Sequence, residues 1–148
     1  MGKKRVLLLL GPNLNMTGIR EKNIYGNESY DDIKEQIMSF ASYLEFSLEI
    51  FQSNWEGSLI DKIHDSYGKF NVIIINAGAL SHYSYSIRDA ISSIDIPFIE
   101  VHMSNIYSRE TFRKTSVIAD VCVGQISGFG KYSYFLALNA IKNLDWFM

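Results

Sequence analysis

Apolar and polar positions along the chain follow two alternating rhythms. Five runs of strand length, RVLLLLG (5–11), FSLEIFQ (46–52), NVIIINAG (71–78), PFIEVHM (97–103) and SVIADVCVG (116–124), carry Val, Ile and Leu with little strict alternation. Such runs predict strands covered on both faces, as in a parallel sheet. Between them, apolar residues recur at helical spacing. Ile33, Ile37, Ala41 and Leu44 form one stripe in ESYDDIKEQIMSFASYLEF, with Ser29 placed to cap its start. Leu59, Ile60, Ile63 and Tyr67 align in EGSLIDKIHDSYGKF, which stops at Gly68. Ile87, Ala90, Ile91 and Ile94 align in YSIRDAISSI, SRETFRKT predicts a short helix, and YSYFLALNAIKNLDWF predicts the last one. This alternation predicts an α/β fold: a doubly wound five-stranded parallel sheet of flavodoxin-like order 2-1-3-4-5. The 148 residues fit a single domain over 1–148, with no repeat, linker or low-complexity tract inside it.

In sheets of this order, ligands bind outside the carboxyl ends of the strands, near the switch between strands 1 and 3. The residues there are polar. Strand 1 is followed by Gly11, Pro12, Asn13 and Asn15, and strand 3 ends in Asn76, Gly78, Ala79, Ser81 and His82. Strand 4 ends in Glu100, Val101, His102, Met103, Ser104 and Asn105. Each of these types also terminates strands or caps helices, but their convergence on one rim points to a site. Glu100 and His102 are two apart on a strand and so share a face. Glu100 can hold one ring nitrogen of His102 and leave the other for acid–base work. A purely structural Glu–His pair would look the same in sequence. His64, between Ile63 and Asp65, reads as a solvated helix residue.

The first strand feeds a loop of about seventeen residues, Gly11 to Asn27, longer than compact domains keep without a use. Within it, Arg20 and Tyr25 are close enough for a guanidinium to sit beside a phenol. A free tyrosine has a pKa of about 10, and an adjacent cation lowers an acid's pKa by roughly 1–3 units. Tyr25 then comes within reach of phenolate and of general-base duty. A surface arginine and a packed tyrosine on a turn closed by Gly26 is the plainer alternative.

Bulk properties narrow the class. A net charge of −2 without a basic cluster argues against nucleic acid and anionic membrane as partners. No stretch approaches the ~20 apolar residues of a membrane span, and the run Val6–Leu10 is short for the roughly 7–15 of a secretion signal. The lone Cys122 forms no intrachain disulfide, and a reducing, cytoplasmic setting is expected. The three histidines lack metal-ligand spacing, so no metal is expected. GFGKYS lacks the phosphate-loop frame, no G-x-G-x-x-G or G-x-S-x-G occurs, and Cys122 falls in a predicted strand.

The stretches GPNLNMTGIREKNIYG, IFQSNWEG, INAGALSHYSYSIRDAI and EVHMSNIYSRETFRKTS resemble the type II 3-dehydroquinate dehydratases, in the family's order and over nearly the whole chain. The resemblance implies dehydration of 3-dehydroquinate to 3-dehydroshikimate in aromatic biosynthesis or quinate catabolism. It implies no cofactor and a homododecamer built as a tetramer of trimers. It implies Tyr25 as the base at C2, Arg20 as the cation that promotes its phenolate, and His102 as the acid for the leaving hydroxyl at C1. Glu100 is implied to orient His102, and Asn13 to help hold a water near the enolate oxygen. Substrate contacts carry over to Asn76, His82, Asp89, the backbone and hydroxyl at Met103–Ser104, and Arg113, with Asp89 reaching in from a neighbouring subunit.

The chain departs from the family pattern at Ala77 and Lys22, where proline is common, at Trp55 for histidine and at Tyr83 for threonine. Losing proline at 77 frees φ in that turn. None of these changes removes a catalytic group, so they bear on affinity and loop order. Two rival classes stay open from sequence: a flavodoxin-like binding domain without chemistry, and a dehydratase for another hydroxy-keto acid.

Overall fold

A computed structural model describes residues 2–19, 23 and 27–144. Five strands form one sheet: β1 (Arg5–Leu10), β2 (Ser47–Gln52), β3 (Val72–Asn76), β4 (Phe98–His102) and β5 (Gly124–Ser127). Their order is β2-β1-β3-β4-β5 with every neighbouring pair parallel, as the sequence pattern predicts. The described helices are α1 (Tyr30–Tyr43), α2 (Glu56–Asp65), α3 (Tyr85–Ser92) and α4 (Tyr132–Asn143). None is long and apolar enough to cross a membrane.

The sheet separates two cores. Leu8, Ile74, Ile99 and Val101 point to one face, where the α1 stripe Ile33, Ile37 and Ala41 meets Ala137, Leu138 and Ile141 of α4. Leu7, Leu9, Ile73, Ile75 and Phe98 point to the other, against Leu59 and Ile63 of α2 and Ile87, Ala90 and Ile91 of α3. Burying each Leu or Ile from water contributes about 1.5–3 kcal/mol, which explains strands that are apolar at nearly every position. Strand alternation then sends Glu100 and His102 to the same side as Phe98. The α1 start is closed by a capping box: Ser29 Oγ accepts the Asp32 N–H and the Asp32 carboxylate accepts the Ser29 N–H.

Three expectations are corrected. The fifth strand lies at Gly124–Ser127, not 116–124, and Ala119–Val121 form a 3-10 turn instead. Ser116 Oγ takes the N–H groups of Ile118 and Ala119, which bends the chain away from the sheet until Val123 N–H donates to Phe98 O. Ile118 is fully buried beside the sheet, so the apolar run satisfies its burial without being a strand; Cys122 sits after the turn, outside β5. The predicted short helix SRETFRKT is not continuous: it begins at the end of one 3-10 turn, Ile106–Ser108, and after Arg109 and Glu110 holds a second, Thr111–Lys114. Asn105 caps the first through its side chain, which favours a turn over a continuing helix. Tyr67 is exposed because α2 has already ended at Asp65, with Gly68 at φ 77° in the turn beyond.

The loops after β1 and β3 meet at a contact that only glycine permits. A Cβ on Gly11 would lie 2.5 Å from the Ala77 carbonyl oxygen, and one on Gly78 3.1 Å from the Pro12 oxygen. Gly11 N–H donates to Asn76 O at 2.8 Å across the same junction. Gly11→Ala is expected to cost about 1–3 kcal/mol by overpacking backbone against backbone. Urea unfolding of the variant checks it, and an unchanged midpoint would contradict the close approach.

Candidate active site

A polar depression opens at the carboxyl ends of β1, β3 and β4, on the rim that the strand order singles out. Its floor is a buried, hydrogen-bonded Glu–His pair. Glu100 is 0% exposed and His102 5%, and His102 Nε2 lies 2.5 Å from Glu100 Oε2. Burying a carboxylate is costly unless it is hydrogen-bonded. Here the other donor is Ser116, whose Oγ lies 2.9 Å from both carboxylate oxygens. With Nε2 committed to Glu100, Nδ1 is the ring nitrogen left for a ligand in the depression that His102 lines.

The imidazole of His82 stacks on that of His102, with centroids 5.8 Å apart and planes 19° from parallel. Its Nδ1 is paired with Thr115 O at 2.8 Å; a carbonyl only accepts, so Nδ1 carries the proton and Nε2 is an acceptor when the ring is neutral. Burial lowers the His82 pKa below the usual histidine value, and the charges of His102 and Arg113 lower it further against the opposing pull of Thr115 O and Glu100.

Two amides come from the loop contact already described. Asn76 ends β3; its Oδ1 accepts Gly78 N–H at 3.2 Å and its Nδ2 donates to Tyr134 Oη at 2.9 Å. Asn13 adopts left-handed φ of 70°, which asparagine tolerates better than most residues, and its N–H donates to Asn54 Oδ1 at 2.9 Å. Gln52 Nε2 also reaches Gly11 O and Asn54 Oδ1, each at 3.1 Å, so the QSN end of β2 braces the loop after β1.

Cations form the outer wall. Arg113 and Arg109 both line the depression. Glu110 lies between them, 3.2 Å from Arg113 Nη2 and 3.8 Å from Arg109 Nε, and the Arg113 hydrogen bond holds its carboxyl below the usual range. Arg109 Nη1 also donates to Ser104 Oγ at 3.2 Å. Two guanidiniums against one intervening carboxylate leave positive charge for an anionic ligand, and arginine's planar fork suits a carboxylate. Met103 packs its side chain into the α1/α4 core, so its polar contribution to the rim is backbone.

The sequence model of the family described as Dehydroquinase class II matches residues 4–142. The chain belongs to the class II dehydroquinases. It is 58% identical over 142 residues to the 3-dehydroquinate dehydratase of Caldicellulosiruptor bescii, covering 95% of this chain and 98% of the relative. It is 56% identical over 138 residues to that of Bacillus cytotoxicus, covering 93% and 94%. Among solved structures, type II dehydroquinase from Butyrivibrio crossotus matches with TM-score 0.93 at 46% identity, covering 95% of this chain and 99% of that one. The Propionibacterium acnes enzyme matches with TM-score 0.92 at 36% identity, covering 97% and 99%. As a dehydroquinase the protein is an enzyme of the hydro-lyase class.

Within this dehydroquinase, Asn13, Asn76, His82, His102, Met103, Ser104 and Arg113 come together at the depression, and Glu100 lies directly behind His102. Asp89 does not join them; it is exposed on α3 and outside the depression. Arg20, Tyr25 and Lys22 lie outside the described residues. Ala77 holds φ of −81°, close to the range proline imposes, so the turn keeps a proline-like shape without the ring. Trp55 and Tyr83 are exposed at 76% and 62%. Burial, with the charges of Glu100 and Asp120, pushes the Cys122 thiol pKa far up, which removes it as a nucleophile. Among the described residues no cluster of three His, Cys, Asp or Glu can hold a metal ion. Arg109, which lines the depression, and Ser116 and Tyr134, which bond Glu100 and Asn76 behind it, are residues that sequence reading passed over. Arg109 and Ser116 fell in segments read as helix and strand, and nothing local marks Tyr134 within its helix.

The lowered pKa of His82 carries a sign for stability. Below about pH 6.5 the unfolded chain binds a proton that folded His82 resists, so this contribution is full above that pH and is lost as the solution is acidified. Urea midpoints measured at pH 7.5 and 5.5 are expected to fall less in His82→Asn than in the parent. An equal fall would contradict the assignment.

Proposed function

We propose that the protein removes water from 3-dehydroquinate to give 3-dehydroshikimate by anti elimination through an enolate. The observation that carries the reading is the buried Glu100–His102 pair opening onto a cation-walled polar depression, in a chain of the class II dehydroquinase family. The substrate named for the relatives is a small carboxylate, and the two arginines suit such an anion.

In this scheme Tyr25, kept ionised by Arg20, takes the proton from C2 beside the ketone. The C–H electron pair moves into an enolate, whose oxygen is met by a water that Asn13 helps to hold. The enolate re-forms the ketone, the new double bond joins C1 and C2, and the C1 hydroxyl departs as water with a proton from His102. Glu100 keeps His102 Nε2 engaged, so Nδ1 is the atom that delivers this proton. Asn76, His82, Ser104 and the Met103 backbone orient the ring, and Arg113 clamps its carboxylate. No step uses a cofactor. One domain carries all of these groups except Asp89, which is supplied from a neighbouring subunit of a homododecamer. Its exposed position on α3 leaves it available for that contact. The setting is the cytoplasm and the shikimate route to aromatic amino acids.

The test is ultraviolet absorbance of the conjugated enone on mixing assembled protein with 3-dehydroquinate. The expected result is turnover by the parent and loss of turnover by Tyr25→Phe, with ligand binding largely retained. Silence of the parent at high enzyme concentration would favour a binding module without chemistry, and parent-like kcat in Tyr25→Phe would remove Tyr25 as the base. General-base catalysis contributes about 10²–10⁴-fold, which sets the minimum loss expected.

A further inference from the structure

Residues 113–117 form a strap that holds His82 directly and reaches His102 through Glu100. Arg113 lines the depression, Thr115 O accepts from His82 Nδ1 at 2.8 Å, and Ser116 Oγ sits 2.9 Å from each oxygen of Glu100. Val117 N–H donates to Ser81 O at 2.8 Å and ties the strap to the turn that carries His82.

A serine hydroxyl has one proton and two lone pairs. At Ser116 all three are used. Oγ accepts Ile118 N–H at 3.3 Å and Ala119 N–H at 3.1 Å, and its proton goes to Glu100. With both lone pairs taken by N–H groups, the hydroxyl can only donate to the carboxylate. Glu100 is fully buried, and among the described residues His102 and Ser116 are its hydrogen-bond partners. Without the hydroxyl, nothing described would fix the rotation of the carboxylate except the imidazole that it is itself meant to orient.

We propose that Ser116 is a positioning residue for the dehydration: by fixing the Glu100 carboxylate it sets the plane and tautomer of His102. This rests on the reading of His102 as the proton donor. The turn at Ala119–Val121 is then part of the site, because its first N–H groups aim the hydroxyl.

Ser116→Thr and Ser116→Val have matching shape and differ by the hydroxyl, and Ser116 is partly exposed, so both are expected to fold. The threonine variant should keep kcat within about threefold of the parent. The valine variant should lose about 10- to 100-fold in kcat, the range spanned by losing one hydrogen bond to a charged group, with KM changed less than about twofold. In a His102→Ala background the two variants should turn over equally, because a residue that acts through His102 has nothing left to act on. A purely structural serine would instead lower activity to the same extent in both backgrounds, and that result, or equal kcat for the two variants in the parent background, overturns the proposal. Proton NMR of the His102 imidazole N–H gives a readout independent of turnover. Its downfield signal should persist in parent and threonine variant and shift or broaden in the valine variant. If the parent proves inactive on 3-dehydroquinate, the functional reading fails by itself; an imidazole signal unchanged in the valine variant sinks the role of Ser116.

Discussion

The hydrogen bond between Glu100 and His102 is the interaction on which the site depends. A carboxylate with no solvent exposure is tolerable only with its oxygens occupied, and here an imidazole and a serine hydroxyl occupy them. That requirement works in both directions. It fills the carboxylate oxygens with donors, and it commits one ring nitrogen of His102 so that the other is offered to the depression. Because both residues belong to β4, a strand paired on both sides, the pair inherits the rigidity of the sheet.

The rest of the site is arranged around that pair by backbone contacts. Gly11 and Gly78 let the loops after β1 and β3 approach so closely that Asn13 and Asn76 face one space. Gln52 and Asn54 brace the first loop, and Tyr134 on α4 fixes the Asn76 amide from the core side. The two 3-10 turns after β4 and the link between them carry Arg109, Glu110 and Arg113, so the outer wall is cationic while the floor is a hydrogen-bonded Glu–His pair. An anion with a ring hydroxyl is the kind of ligand that such a gradient of charge would orient.

Much of this was legible in the amino-acid order. The strand sequence of the sheet followed from apolar runs without alternation, and the Glu100–His102 pairing from two residues two apart at a strand end. The α1 cap at Ser29 was visible because capping chemistry is local. The segment after residue 105 was not legible in the same way. SVIADVCVG has the composition of a strand, but Ser116 spends its lone pairs on the next N–H groups and turns the chain before it reaches the sheet at Gly124. Ser116 was hidden as a site residue because its partner Glu100 is sixteen positions away. Tyr134 was hidden for a related reason: its contact with Asn76 spans 58 positions. The pairing of Arg20 with Tyr25 was read from sequence and resemblance, and both lie outside the described residues.

The most direct test is a crystal structure of the Tyr25→Phe variant with 3-dehydroquinate bound. The account predicts that His102 keeps Nε2 on Glu100 and brings Nδ1 within hydrogen-bonding distance of the C1 hydroxyl, with the substrate carboxylate at Arg113. A ring turned the other way round, or a C1 hydroxyl out of reach of His102 and served by a different acid, would contradict it.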